Sequence, residues 1–272
     1  MDDLAHYNQA RWEELAAANV VFSQPWLDLS PETARALVDP AGLLGDFAGK
    51  DVLCLASGGG QQSVAFALLG ANVTVVDLTA TQLGRDQAAA AHYGLAIRTL
   101  QTDMRDLSAL ASGSFDVVWH AYSINFIPEI QTVLGEVARV LRDGGMYRIE
   151  WGNPFVAGLS EEEWTEAGYP LKQPYVNGAE IVFPDAAWTF EDSAGAQQRV
   201  AGPREFRHTL SAVINGLVQH GFVVLGLWEE LSQEPDAAPG TWEHLKSIAP
   251  PWLTLWAAYR PALLKQLLPS RA

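Results

Sequence analysis

The sequence predicts an α/β fold in which a doubly wound, mostly parallel sheet of seven strands carries helices on both faces. Three observations predict it. Short apolar runs alternate with helical segments between Lys50 and Trp151, a glycine turn joins the first run to its helix, and an aspartate ends the second run. Continuous apolar runs of this length are typical of parallel strands that are covered on both faces.

The first strand organises the chain. It spans residues 52–56 and runs into Ser57-Gly58-Gly59-Gly60 and a helix over 61–69. Glycine has no Cβ, so a ligand can approach the backbone closely. The first N–H groups of the following helix point back at the turn. The arrangement therefore predicts a ligand site at the turn.

The second strand, over 73–77, ends at Asp77. An acidic residue at this point of a doubly wound sheet accepts hydrogen bonds from ribose hydroxyls. Together with the glycine turn, Asp77 predicts a nucleoside site. A structural role is the alternative, since aspartate at the junction of a strand and a helix is often a helix N-cap.

Further strands and helices of the core are predicted in the order helix 79–92, strand 96–100, strand 115–120, helix 128–141 and strand 146–151. Ligands of such sheets lie outside the carboxyl ends of the strands. Ser57, Asp77, Asp103 and His120 all lie at or just beyond those ends. We therefore expect their side chains to face one site.

The rest of the chain is predicted to complete the same globular domain. Its four segments are an N-terminal helical cap (1–45, with helices over 4–18 and 31–38), the cofactor-binding core (46–151), an insertion over the active site (152–203) and a closing part (204–272). The closing part contains a helix over 205–220 and strands over 222–228 and 253–259. No crossover helix joins these two strands, so they should form an antiparallel pair at one edge of the sheet.

Composition excludes several classes of function. The chain has 272 residues, of which 49% are hydrophobic, and this content allows a packed core. A net charge of -15 argues against a nucleic-acid partner, which needs a concentrated basic face. No apolar run is long enough to cross a membrane. The acidic start Met1-Asp2-Asp3 and the single Cys54 favour the cytosol. No cluster has the spacing of metal ligands, and the oligomeric state stays open.

Two cofactor classes fit a glycine turn followed by a ribose-binding acid, namely a nicotinamide dinucleotide and S-adenosylmethionine. The dinucleotide fingerprint places a third glycine inside the helix, where this chain has Ser63. No tyrosine is followed four residues later by the lysine that single-domain dehydrogenases commonly use. An NAD(P)-dependent oxidoreductase and a non-catalytic cofactor-binding protein nevertheless remain as alternatives.

At this point the sequence resembles class I S-adenosylmethionine-dependent methyltransferases. The resemblance rests on four successive motifs, which are Val52 to Gly60, Val73 to Asp77, Gln101 to Met104 and Phe115 to His120. A bacterial subgroup of small-molecule methyltransferases with unassigned substrates is similar over most of the chain. That likeness rests on Tyr7-Asn8, Trp12, Leu53 to Gln62 and Glu205-Phe206-x-His208-Thr209-Leu210.

The resemblance implies transfer of a methyl group from S-adenosylmethionine to a small-molecule acceptor, with S-adenosylhomocysteine as the product. Asp77 would hold the ribose, Asp103 would accept from the adenine amino group, and Met104 would pack on the ring. The implied cofactor-binding residues are Tyr7, Trp12, Ala56, Ser57, Gly58, Gly60, Asp77, Leu78, Gln82, Asp103, Met104, His120, Ala121 and Ser123.

The acceptor side is less defined by the sequence. A catalytic base is needed only if the acceptor must lose a proton before it reacts. Four residues could orient or deprotonate the acceptor, and the sequence does not choose among them. They are His120, Tyr122, Asn125 and His208. For the two histidines a purely structural hydrogen bond is the alternative.

Overall fold

The computed structural model describes residues 1–183, 185, 187–191, 196–234 and 236–267. Its strands are β1 (Asp51–Leu55), β2 (Asn72–Asp77), β3 (Arg98–Gln101), β4 (Phe115–His120), β5 (Leu141–Gly152), β6 (Ala187–Glu191), β7 (Gln197–Ala201), β8 (Phe222–Glu229) and β9 (Trp252–Tyr259). Its helices are α1 (Asp3–Ala17), α2 (Pro31–Val38), α3 (Gln62–Leu68), α4 (Ala80–His92), α5 (Ile130–Val140), α6 (Leu210–Gln219), α7 (Trp242–Ile248) and α8 (Pro261–Leu267).

Seven strands form one sheet in the order β3-β2-β1-β4-β5-β9-β8. Strands β1 to β5 pair in parallel, whereas β9 runs antiparallel to both β5 and β8. The predicted fold class, a mostly parallel seven-stranded sheet closed by an antiparallel pair, is confirmed. The reversal of strand order between β1 and β4 opens a crevice at their carboxyl ends, where ligands of doubly wound sheets bind.

The central strand β1 shows why the sheet needs helices on both faces. Its side chains alternate in direction, so Leu53 and Leu55 enter one buried cluster and Val52 and Cys54 enter another. Helices α5 and α6 cover the first cluster, and α2 and α3 cover the second. Cys54 is fully buried, and burial raises the pKa of its thiol. It is a core residue, as the sequence indicates.

The closing part differs from its prediction at one helix start. The helix predicted from Glu205 begins at Leu210, where the Thr209 hydroxyl accepts a hydrogen bond from the N–H of Ala212 at 3.2 Å. The residues before it run in extended backbone because neighbouring loops bind them. Phe206 N–H, for example, donates to the carbonyl of Asn125 at 2.6 Å.

The sequence also missed regular elements. Residues 152–203 show no clear alternation of strand and helix in the sequence, yet strands β6 and β7 pair antiparallel there in a separate two-stranded sheet. Helices α7 and α8 were not predicted either, since each has only seven residues and, unlike the equally short α3, neither follows a strand that runs into a glycine turn. Short elements carry too few periods of a hydrophobic pattern to be recognised. The division of the chain into four segments stays a prediction.

The N-terminal segment is attached to helix α4. Arg85, on α4, donates to the Ser23 hydroxyl at 2.6 Å and to Asn19 Oδ1 at 3.1 Å, and it also contacts the carbonyls of Ser23 and Ala16. In return, Glu13 accepts a hydrogen bond from the first N–H of α4, that of Ala80, at 2.8 Å. One guanidinium therefore joins the end of α1 and the turn that follows it to the core.

None of the helices in the described part of the chain combines the length and the apolar character that crossing a membrane requires.

We predict that Arg85→Ala loosens the N-terminal segment without unfolding the sheet. The substitution removes the donors of several hydrogen bonds, each worth roughly 1 kcal/mol. Amide exchange measured by mass spectrometry should therefore become about tenfold faster over residues 3–24. The control is Arg98→Ala, which removes the same charge from an exposed position on β3. Equal exchange of residues 3–24 in both variants would contradict the prediction.

Candidate active site

A cavity of about 660 Å³ lies at the carboxyl ends of the strands. This volume falls in the usual range for a small-molecule site. Eleven of the fourteen predicted cofactor residues line it, and they are Trp12, Ala56, Ser57, Gly58, Asp77, Leu78, Gln82, Asp103, Met104, Ala121 and Ser123. Tyr122 and Asn125, two of the four acceptor candidates, also line it. The structure therefore brings most of the predicted site together.

The glycine turn is held from below by a carboxylate that sequence reasoning missed. Asp86, on α4, accepts hydrogen bonds from the N–H groups of Gly59 and Gly60 at 2.9 and 3.0 Å, and from the Ser63 hydroxyl. It is fully buried. Burial is the main cause that raises the pKa of Asp86 to about 7. No motif marks it, because aspartate in a helix usually reads as a solvent-exposed residue.

Two backbone features open the turn toward the cavity. Ala56 has a φ of 46°, in the left-handed region that costs an L-residue about 1 kcal/mol. Such strain is often found at functional sites. At Gly58, a Cβ would lie 2.7 Å from the Gln82 Cβ and 3.1 Å from the Asp77 carboxyl carbon. Only glycine fits there without moving these two side chains.

Asp77 ends β2 and faces the cavity beside the turn. Its Oδ2 accepts from the N–H of Gly58 at 2.9 Å, and its Oδ1 accepts from the N–H and the hydroxyl of Thr79 at 2.9 and 2.8 Å. Burial raises the pKa of Asp77, although these bonds favour the ionised form. Asp77 therefore binds Thr79, the N-cap residue of α4, and lines the cavity, but it is not itself the N-cap that the structural alternative predicted.

Asp103 lies two residues beyond β3, the strand next to β2, and it faces the same cavity. Arg105 holds it through a 2.7 Å ion pair and further hydrogen bonds to both carboxylate oxygens. Arg105 also pairs with Asp2 at 2.8 Å, and its donation lowers the pKa of Asp2 to about 2. The orientation of Asp103 is therefore fixed by Arg105.

Three polar atoms on the cavity wall have no partner among the described residues. They are Ser57 Oγ, Gln82 Oε1 and Ser123 Oγ, and all three are buried. Buried polar groups are normally hydrogen-bonded, and each unpaired one costs about 1–3 kcal/mol. Each of the three atoms has almost no accessible surface, so it lies within the cavity wall and does not face the open space.

The far side of the cavity holds a second carboxyl group that the sequence did not identify as a site residue. Glu205 Oε2 accepts a hydrogen bond from the Tyr122 hydroxyl at 3.1 Å. Burial raises the pKa of Glu205 to about 7 and that of Tyr122 well above its usual range. The Asn125 side chain is bound to the backbone: its Oδ1 accepts from the N–H of Gly152 at 3.1 Å, and its Nδ2 donates to the carbonyl of Phe206 at 3.3 Å.

The structure places three predicted cofactor residues away from the cavity wall, contrary to the prediction. Tyr7 is partly exposed, and its hydroxyl donates to the carbonyl of Gly202 at 3.4 Å. A Cβ added at Gly60 would lie 2.8 Å from the Cβ of Ala89 on α4, so this position faces the helix and not the cavity. His120 is fully buried and its Nδ1 lies 3.0 Å from the Tyr147 hydroxyl.

His208 also lies away from the wall, in contrast to its prediction as an acceptor residue. It is fully buried, and its Nε2 donates to the carbonyl of Ile124 at 2.9 Å. Burial lowers the pKa of His208 to about 4 and that of His120 to about 3, so both imidazoles are neutral near pH 7. The structural alternative therefore describes both histidines.

Comparison with known proteins defines the class. Residues 53–149 match the model of the methyltransferase domain family. An uncharacterized methyltransferase, YbaJ, of Bacillus subtilis (strain 168) is 34% identical over 184 residues, which is 67% of this chain and 69% of the relative. The chain belongs to the methyltransferase family. The sequence-based identification of a class I S-adenosylmethionine-dependent enzyme is confirmed.

Solved structures support the same fold. An S-adenosylmethionine-dependent methyltransferase from Mesorhizobium loti aligns with a TM-score of 0.61 and 21% identity, over 86% of this chain and 100% of that one. The 1,6-didemethyltoxoflavin-N1-methyltransferase of Burkholderia thailandensis, solved with bound 1,6-didemethyltoxoflavin and S-adenosylhomocysteine, aligns with a TM-score of 0.57 and 15% identity, over 94% of this chain and 88% of that one. At these identities the likeness concerns the fold.

We predict that Asp86→Ala lowers the free energy of unfolding by about 2–4 kcal/mol, because it leaves the N–H groups of Gly59 and Gly60 buried without an acceptor. Urea denaturation followed by circular dichroism measures the change. The control is Thr81→Ala, an exposed substitution on the same helix, which should change stability by less than about 0.5 kcal/mol. A loss below 1 kcal/mol for Asp86→Ala would mean that the turn does not depend on this carboxylate.

The stability of the wild-type protein should also fall as pH rises. The folded-state pKa of Asp86, about 7, is above the usual value of 3.8, so the folded state binds more protons between these values. The stability contributed by the protonated form is therefore lost as pH rises toward and through 7. In Asp86→Asn this part of the pH dependence should disappear, and an unchanged slope between pH 5 and 8 would contradict the assignment.

Proposed function

We propose that this methyltransferase binds S-adenosylmethionine along the carboxyl ends of β3, β2, β1 and β4 and transfers its methyl group to a small-molecule acceptor over β4 and β5. One observation carries the proposal. Asp77 and Asp103 project from neighbouring strand ends into one cavity, beside a glycine turn that leaves room for a ligand. Carboxylates that follow neighbouring strands can accept hydrogen bonds from the ribose and from the adenine of one adenosine.

The residues on the wall fit this donor. Ser57, Gln82 and Ser123 line the cavity with polar side chains, and the donor offers hydroxyl, amine and carboxylate groups. Asp77 would accept from the ribose hydroxyls, and Met104, which lines the cavity beyond β3, would pack on the adenine. The carboxylates also suit the positive charge of the sulfonium.

When bound, S-adenosylmethionine supplies a methyl group that its sulfonium already makes electrophilic. The protein's task is then to align the acceptor and to exclude water. Aromatic rings from separate segments of the chain exclude water. Trp12 of α1 meets Phe126 at 5.1 Å and Trp188 of β6 at 5.6 Å between ring centroids, both edge to face. These rings lie on the cavity wall, so they shield it from solvent.

A location in the cytosol and the absence of a nucleic-acid partner belong to this proposal as well. Both rest on the acidic composition and on the single, buried Cys54.

We predict that calorimetry shows saturable binding of S-adenosylmethionine and S-adenosylhomocysteine, and none of NAD. The cavity offers adenosine contacts, and the place of the third glycine of the dinucleotide fingerprint is Ser63, whose hydroxyl is bound by Asp86. Binding of NAD alone would overturn the proposal. Binding of S-adenosylmethionine without turnover against a metabolite panel would favour the non-catalytic alternative.

We predict that Gly58→Ala weakens binding of S-adenosylmethionine at least about tenfold, or about 1.4 kcal/mol. The added methyl group would overlap Gln82 and press on the Asp77 carboxyl, so both would move from their positions. The matched control is Gly84→Ala on α4, where a Cβ meets nothing within 4 Å. Calorimetry should show unchanged affinity for the control. Equal affinities of the two variants would remove Asp77 and Gln82 from the proposed contacts.

A further inference from the structure

The ionisable side chains on the cavity wall are acidic. Among the described residues that line it, none is a lysine, arginine or histidine, whereas four carry carboxyl groups, namely Asp77, Asp103, Glu150 and Glu205. Arginines behind the wall neutralise two of these: Arg105 pairs with Asp103 and Arg148 pairs with Glu150. Asp77 is bonded to the glycine turn. Glu205 is the carboxyl group on the acceptor side whose hydrogen-bond partner within the described chain is a neutral hydroxyl.

The backbone around Glu205 is fixed on both sides. Its carbonyl accepts from the N–H of Ile181 at 2.8 Å, and the next N–H, that of Phe206, donates to Asn125. The residue is only 6% exposed, and its side chain contacts Tyr122 through one oxygen, Oε2. The other oxygen, Oε1, therefore has its hydrogen-bonding capacity left for a ligand.

Glu205 lies at the opposite end of the cavity from the adenosine carboxylates. Its partner Tyr122 follows β4, and a Cβ on Gly152, the last residue of β5, would lie 3.1 Å from the Tyr122 hydroxyl oxygen. Trp252 pairs with Gly152 across the sheet and packs on the Tyr122 ring at 4.5 Å. The absence of a side chain at Gly152 therefore lets Tyr122 and Asn125 pack closely against the end of β5, and Trp252 forms an aromatic wall beside Tyr122.

We propose that Glu205, positioned by Tyr122, binds the methyl acceptor and takes a proton from it, and that the acceptor is an uncharged aromatic molecule with an O–H or N–H group. The inference rests on the proposed function. The acceptor's proton passes to Glu205 Oε1, and the lone pair left on oxygen or nitrogen forms the bond to the methyl carbon. The carbon–sulfur bond breaks, and its electron pair stays on sulfur as the neutral thioether.

The proton balance and the charge both fit. Burial raises the pKa of Glu205 to about 7, which is suitable for a general base near neutral pH. An anionic acceptor would face an ionised Glu205 with no cation on the wall. Tyr122 is bonded to Glu205, and the charge of Glu150, which pairs with Arg148, acts on Tyr122 as well. Arg204 precedes Glu205 in the chain and pairs with Glu180.

The test compares two probes of one shape, 2-naphthol and the anion 2-naphthoate, by calorimetry. Wild-type protein should bind 2-naphthol at least about tenfold more tightly than 2-naphthoate at pH 8. Its affinity for 2-naphthol should fall several-fold between pH 8 and pH 6, because protonation of Glu205 removes the charged acceptor of the O–H bond. In Glu205→Gln both the pH dependence and most of the discrimination should disappear.

Tyr122→Phe removes the hydrogen bond to Glu205 and keeps the packing of the aromatic ring. The ring still packs on Trp252, but the hydrogen bond that lowers the pKa of Glu205 is lost, so the pH transition in 2-naphthol affinity should move upward. A merely structural Glu205 would give no such transition. Equal affinity for the two probes, a pH-independent wild-type affinity, or saturable binding of neither probe would each overturn the proposal.

Donor binding is measured on the same variants so that the two proposals fail separately. Glu205→Gln should still bind S-adenosylmethionine saturably, because the proposed adenosine contacts are made by Asp77 and Asp103. Failure of the wild type to bind S-adenosylmethionine would count against the proposed function, whereas the naphthol measurements would still report on Glu205.

Discussion

The three hydrogen bonds that Asp86 accepts beneath the glycine turn are the constraint on which the site depends. They satisfy two backbone N–H groups and the Ser63 hydroxyl, which the bend would otherwise bury unpaired. Because Asp86 stands on α4, the turn is fixed to the helix that also carries Gln82 on the cavity wall and Arg85 beneath the N-terminal segment. Helix α4 therefore positions the glycine turn, the cavity-lining residue Gln82 and the N-terminal segment relative to one another.

The sequence could predict the sheet and the convergence of Asp77 and Asp103 on one cavity for the same reason. Both follow from local patterns: apolar runs of strand length, a glycine turn, and acids such as Asp77 and Asp103 at strand ends. Parallel strands place their carboxyl ends at one edge, so residues that follow different strands must converge. No knowledge of long-range contacts was needed for this part.

The other end of the cavity could not be predicted in this way. Glu205 and Tyr122 meet across 83 residues of chain, and no strand-end rule brings them together. The two histidines show that position in a motif does not fix direction. His120 ends β4 but is buried against the Tyr147 hydroxyl, and His208 belongs to the motif at 205–210 but is buried against the Ile124 carbonyl. A motif gives the position of a side chain along the chain, whereas its direction depends on the tertiary structure.

The acidic wall of the cavity has a consequence for turnover. Methyl transfer removes the positive charge from sulfur, so the spent donor leaves the reaction as a neutral thioether in a chamber whose wall carries carboxyl groups and, among its described residues, no cationic side chain. The field that attracts a fresh sulfonium gives its product no such attraction. In the proposed mode of binding, the carboxyl groups on the wall therefore favour replacement of the neutral product by a new, positively charged donor.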